Sequence, residues 1–88
     1  MTKKQFFLQE IALFFLSLQK TSNTRIQLLC KESHISTRTY YKIMRQKMVK
    51  RECYFRLLIG ISRASYDNQF MEQWQKLGNN LFMRYNED

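Results

Sequence analysis

Residues 29–43 read Leu29-Cys30-Lys31-Glu32-Ser33-His34-Ile35-Ser36-Thr37-Arg38-Thr39-Tyr40-Tyr41-Lys42-Ile43, and the fold turns on how this stretch divides. Ile26, Leu29 and Cys30 repeat at a helical step, and so do Tyr40, Ile43 and Met44 further on. Between them Ser33-His34-Ile35-Ser36 interrupts the period with neither proline nor glycine. The spacing predicts a helix of about eight residues ending near Ser33, then a turn of about three or four residues. A second helix opens at Ser36, whose hydroxyl can accept a bond from the first free amides. Two short helices joined in this way cross steeply and share an apolar corner, here Leu29, Cys30, Ile35, Tyr40 and Ile43. The outward face of the second helix then carries Thr37, Arg38, Tyr41, Lys42 and Arg45, none of them acidic.

The same period continues on both sides. Phe7, Ile11, Phe14 and Leu18 fall at helical steps, with Leu8 and Phe15 widening the stripe. Tyr54, Leu57, Leu58 and Ile61 mark a fourth helix, and Phe70, Trp74, Leu77 and Leu81 a fifth. Residues Cys53 to Ile61 are apolar enough for a buried strand, but their spacing fits a helix and Val49 is the only valine in the chain. With no proline and two glycines, the breaks come from Thr21-Ser22-Asn23-Thr24, from residues 33–36, from Ser62 to Asn68 and from the basic stretch Lys47 to Lys50. Asn23 or Thr24 is the expected cap of the second helix, and Gly60 is expected in the last turn of the fourth. No residue marks the start of the fourth helix. The expected fold class is all-α, a five-helix bundle forming one domain over 1–88, with its motif at 25–45 and an amphipathic C-terminal helix over about 66–84.

Eighty-eight residues leave no room for a separate cofactor domain. A hydrophobic content of 44% with 15% aromatics excludes a disordered chain. Fifteen Lys and Arg against seven Asp and Glu give a net charge of +8. That points to a polyanion, first nucleic acid, then a membrane surface or an acidic protein. The charge is uneven. Residues 1–66 hold 13 basic and 3 acidic side chains, net +10, and residues 67–88 hold 2 and 4, net −2. Between Ser36 and Arg56 lie seven basic residues and one acid, Glu52.

Other chemistry is thinly represented. Cys30 and Cys53 lie far apart and the chain has one histidine, so no metal site and no disulfide framework is expected. Both cysteines read as small apolar residues of a reducing, cytoplasmic compartment. Lys3 and Lys4 precede an apolar run from Phe6 to Leu18, but Gln9 and Glu10 interrupt it and no small-residue cleavage site follows. The run is too short to span a bilayer and reads as a core helix, so no membrane association is expected. No Ser/His/Asp or Cys/His arrangement is available for catalysis. The chain is expected to be no enzyme and to take neither cofactor nor small-molecule ligand.

The stretch Leu29 to Ile43 resembles the helix-turn-helix of the Cro and phage-repressor type, the lambda-repressor-like DNA-binding domains. Leu18 falls where that family's first helix packs, and Tyr54 through Ile61 resembles its fourth helix, so the likeness covers roughly residues 8–62. This chain departs from the pattern twice. His34 stands in the turn where the family usually has glycine, a position that often needs a positive φ, and Ser33 stands where an apolar residue is usual. The resemblance implies that Thr37, Arg38, Tyr41 and Lys42 face the major groove of double-stranded DNA. It implies that Ser36 caps the recognition helix and touches phosphate, that Gln27 holds backbone at the groove edge, and that Arg45, Lys47, Lys50 and Arg51 meet phosphates. A sequence-specific transcriptional regulator of a phage, plasmid or other mobile element is the function it implies.

The fifth helix admits two readings. Phe70, Trp74, Leu77 and Leu81 close the domain's own core, or they form a homodimer face with Phe82 and Tyr85 at its edge. A two-fold dimer, through this helix or the first, would set two recognition helices about 34 Å apart on successive major grooves. Two other functions fit the same composition. One is a protein-binding module on the helix-turn-helix fold, such as an inhibitor or accessory subunit. The other is a non-specific nucleic-acid binder, including of RNA.

Overall fold

Thr2 starts the first helix. Its hydroxyl accepts a bond from the Gln5 amide at 3.1 Å while its own amide donates to Gln5 Oε1 at 2.9 Å, a reciprocal capping box. The computed structural model describes residues 2–64 and 68–85, with backbone alone at 68–71. Among these residues the chain forms five helices and no strand: α1 Lys3–Ser22, α2 Ile26–Ser33, α3 Thr37–Met44, α4 Arg51–Ala64 and α5 Asn68–Phe82. The all-α expectation is met, and α2, the three-residue turn and α3 fall where the spacing placed them.

The core is built from the predicted stripes. Phe7, Leu8, Ile11, Phe15 and Leu18 of α1 meet Leu29 and Cys30 of α2, Tyr40 and Ile43 of α3, and Tyr54, Leu57, Leu58 and Ile61 of α4. Ile26, Ile35, Phe14 and Met44 pack at its edge. Aromatic rings fill the centre. Phe82 lies 5.6 Å from Phe15 and 5.6 Å from Tyr54, both stacked, with Phe14 and Phe55 edge-on to it at 5.9 and 5.1 Å. Phe15 and Tyr54 are themselves stacked at 6.3 Å.

This corrects the phase of α5. Phe82 and Tyr85, which the dimer reading set at the edge of an outward face, are buried in the chain's own core, as is Leu81. Trp74 packs against that core, 5.5 Å from the Phe14 ring. The intramolecular reading therefore describes Trp74 and Leu81. Leu77 is 59% exposed, and the side chain of Phe70 lies outside the described residues. Gly78 is what turned the stripe. A Cβ there would meet Leu58 Cδ2 at 2.8 Å and Phe14 Cζ at 3.0 Å. The helix therefore faces the core through the one position with no side chain, which a count of apolar residues cannot register.

Gly60 is corrected in the same way. It lies inside α4, not in its last turn, and is buried against α2. A Cβ on it would lie 1.8 Å from Ser33 Oγ and 2.8 Å from Ser33 Cα. Ser33, which stands where an apolar residue is usual in the resembling family, is 2% exposed. Its small size lets the two helix backbones meet.

The helix ends share one device. Thr24, Ile35 and Lys47 donate their amides to the carbonyls of Gln19, Cys30 and Lys42. The residue before each, Asn23, His34 and Gln46, takes the left-handed conformation with φ of 53°, 55° and 60°. These are Schellman closures, and each normally favours glycine at that position. Asn23 therefore ends α1 instead of capping α2. Thr24 is buried with its hydroxyl 2.9 Å from that of Ser22, and Arg25 precedes α2 with no side-chain cap. His34 occupies the positive-φ position expected of it.

Candidate nucleic-acid interface

Tyr40 and Ile43 are each 1% exposed and fix the rotation of α3. With their side turned to the core, the helical step turns Thr37, Arg38, Tyr41 and Lys42 to solvent, and all four are exposed. Ser36 caps this helix as expected. Its Oγ accepts the Thr39 amide at 3.1 Å and lies 3.0 Å from Thr39 Oγ1. Tyr41 is 48% exposed, and its ring stands edge-on to Tyr40 at 5.7 Å, so a buried ring braces an exposed one. Burial pushes the Tyr40 hydroxyl upward, with the Cys30 thiol and Tyr41 adding in the same direction.

Arg45 follows α3, and the left-handed Gln46 turns the chain into the segment Lys47 to Lys50. Lys47 and Lys50 are exposed, whereas Met48 and Val49 between them are half-buried against the core. An apolar pair thus anchors the segment while a lysine on each side stays in water. Gln27 is exposed in the first turn of α2. The structure therefore places Gln27, Ser36, Thr37, Arg38, Tyr41, Lys42, Arg45, Lys47 and Lys50 at the surface, most of them on α3 and the segment leaving it.

Arg51 is exposed like the other cations but also has contacts within the chain. One of its guanidinium nitrogens donates to the Tyr85 carbonyl at 2.8 Å, and the group sits 5.3 Å from the centroid of the Tyr85 ring. Tyr85 in turn donates its hydroxyl to the Val49 carbonyl at 2.7 Å. Sequence reasoning missed this arrangement, because residues 34 and 36 positions apart leave no periodic trace.

Among the described residues the cations on and after α3 have no acidic partner. Among the described residues the ion pairs are Arg56 with Glu52 at 4.0 Å and Arg84 with Glu10. Arg38, Lys42, Arg45, Lys47 and Lys50 have no described carboxylate within that distance. Surface cations without partners set up a field that attracts anions and is weakened by salt.

Other chemistries find less to work with among the described residues. No group of three His, Cys, Asp or Glu could hold a metal ion. Burial pushes the Cys30 thiol up, away from the thiolate a nucleophile needs. No helix is long and apolar enough to cross a membrane.

Fold and surface together define the class: helical over the described residues, with exposed cations on α3 and on the segment leaving it that pair with no described carboxylate. Compared with protein-family models, with curated proteins and with solved structures, the chain matches none.

Proposed function

We propose that this chain is a small sequence-specific double-stranded DNA-binding protein of the lambda-repressor-like helix-turn-helix type, reading the major groove with α3. One observation carries the reading. A helix locked by buried Tyr40 and Ile43 presents Thr37, Arg38, Tyr41 and Lys42, and five cations on it and just after it have no acidic partner among the described residues. The left-handed His34 between α2 and α3 supports the same reading, since the resembling turn places glycine there. An Arg near the N-terminal end of a groove-bound helix can bond guanine O6 and N7 together, worth about 1–3 kcal/mol of discrimination. Arg45, Lys47 and Lys50, with Ser36 and Gln27, supply phosphate contacts, which set register and carry little sequence information. A cytoplasmic transcriptional regulator of a mobile element, without cofactor or effector, is the corresponding biological role.

The protein binds as a homodimer in this reading. With Trp74 and Leu81 engaged in the core, exposed apolar side chains open to a second copy remain on α1, at Phe6, Leu13 and Leu16, and on and just after α5, at Leu77 and Met83. Selection of bound sequences from a random duplex pool tests the function. A conserved motif with two-fold symmetry, its half-sites one helical turn apart, is the expected outcome. Binding without an enriched motif leaves a non-specific nucleic-acid binder. No binding at about 50 mM salt, where phosphate contacts are strong, turns the reading to a protein-binding module.

A further inference from the structure

The Tyr85 clasp ties the end of the chain's last helix to the segment that carries the phosphate-contacting lysines. Tyr85 is 8% exposed, with its ring edge-on to Phe7 and Tyr54, each at 5.8 Å, so it is fixed from the core side. From that position its hydroxyl holds the Val49 carbonyl, and its carbonyl receives the Arg51 guanidinium, which also lies over its ring. Val49 sits between Lys47 and Lys50 in sequence, and Arg51 opens α4. The segment from 45 to 50 has no regular structure; the amides of Arg45, Gln46 and Lys47 bond back to α3, and the Lys50 carbonyl accepts the Cys53 amide of α4. Between those two ends its course is set by the half-buried Met48 and Val49 and by this clasp.

We infer that Tyr85 and Arg51 are positioning residues for DNA binding. They hold the Lys47–Lys50 segment at the height of the α3 face, and Arg51 does so in place of a phosphate contact. This rests on the DNA-binding reading above. The physical reason is entropic. A segment ordered before binding does not lose that freedom on contact with the duplex, and an Arg already bonded to a carbonyl and stacked on a ring has less to offer a phosphate.

A phosphate contact and a positioning residue leave different signatures. Loss of a phosphate contact lowers the log–log salt slope by about one. Loss of a positioning contact weakens binding at constant slope. The test compares Tyr85→Phe, Arg51→Gln and Lys50→Ala on the full chain, using a duplex at several salt concentrations and hydrogen exchange at the amides of residues 47–50. Tyr85→Phe and Arg51→Gln are expected to weaken binding by between about two- and tenfold, the worth of one net hydrogen bond. The slope should stay unchanged and exchange at 47–50 should quicken, while exchange in α1 stays as it was. Lys50→Ala should lower the slope and leave exchange alone. Unchanged exchange at 47–50 in Tyr85→Phe overturns the clasp, and a slope lowered by Arg51→Gln returns that residue to the phosphate contacts. If the unsubstituted protein binds no duplex, the DNA-binding reading falls, and the exchange comparison still decides whether Tyr85 orders the segment.

Discussion

Arg38 and Lys47 carry the same charge and are assigned different work. Arg38 lies on the exposed face of α3, one turn before Lys42, whereas Lys47 follows the helix on a segment anchored by its neighbours. Arg38→Ala is expected to relax base preference at one position of the selected site, by about 1–3 kcal/mol in discrimination. Lys47→Ala should weaken all duplexes alike and lower the salt slope by about one. Repeating the selection for the first variant and a salt titration for the second checks both, and an unchanged preference or slope removes the residue from its role. Ser33 and Gly60 offer a stability test at the same scale. Among the described residues the buried Ser33 hydroxyl finds no hydrogen-bond partner, a state that costs about 1–3 kcal/mol. Ser33→Ala should therefore raise stability by up to about 1 kcal/mol. Gly60→Ala should lower it by about 1–3 kcal/mol despite alanine's better helix propensity, because the added carbon meets backbone as well as the hydroxyl. Chemical denaturation of the two variants measures the difference.

At the scale of elements, the chain handles its scarce glycines unusually. Both lie inside helices, where they let α4 approach α2 and α5 approach α1 and α4. The left-handed ends of α1, α2 and α3 are left to Asn23, His34 and Gln46. Asparagine tolerates that conformation well, whereas glutamine gains nothing from it. Gln46→Gly is expected to stabilise the protein by about 0.5–1 kcal/mol, read as a rise in thermal midpoint. A fall would mean that the Gln46 side chain does more than fill the turn. The boundaries of α2, α3 and the turn between them were legible from a run of fifteen residues because local chemistry sets them: the Ser36 cap, the period of Tyr40 and Ile43, and a turn with no competing signal. The phase of α5 was not, because Leu77 and Phe82 are equally apolar and only packing against Phe14, Phe15 and Tyr54 distinguishes them.

Across the whole molecule, the aromatic core has a pH consequence. Tyr54 is fully buried, and loss of solvent pushes its hydroxyl from 10.0 up to about 12, partly offset by the Val49 backbone and reinforced by Tyr85 and Cys53. The folded state therefore keeps a proton that the unfolded chain releases first. Stability from this source is fully present below pH 10 and is lost as pH rises through about 12. Tyr40 acts in the same direction. Unfolding midpoints should fall above pH 10, and Tyr54→Phe should make the fall shallower. An equally steep fall in the variant would assign the effect to other groups.

The sequence by itself determined the all-α class, the positions of α2, α3 and the turn between them, the Ser36 cap and the concentration of positive charge after Ser36. Each is set by local period or by composition, which neighbours far along the chain cannot change. The tertiary structure alone decided which face of α5 is buried, that Ser33 and Gly60 bring α2 against α4, and that Tyr85 reaches back to Val49 and Arg51. Those depend on which side chains meet across a core, and a meeting between residues 34 and 36 positions apart has no signature in the chain between them.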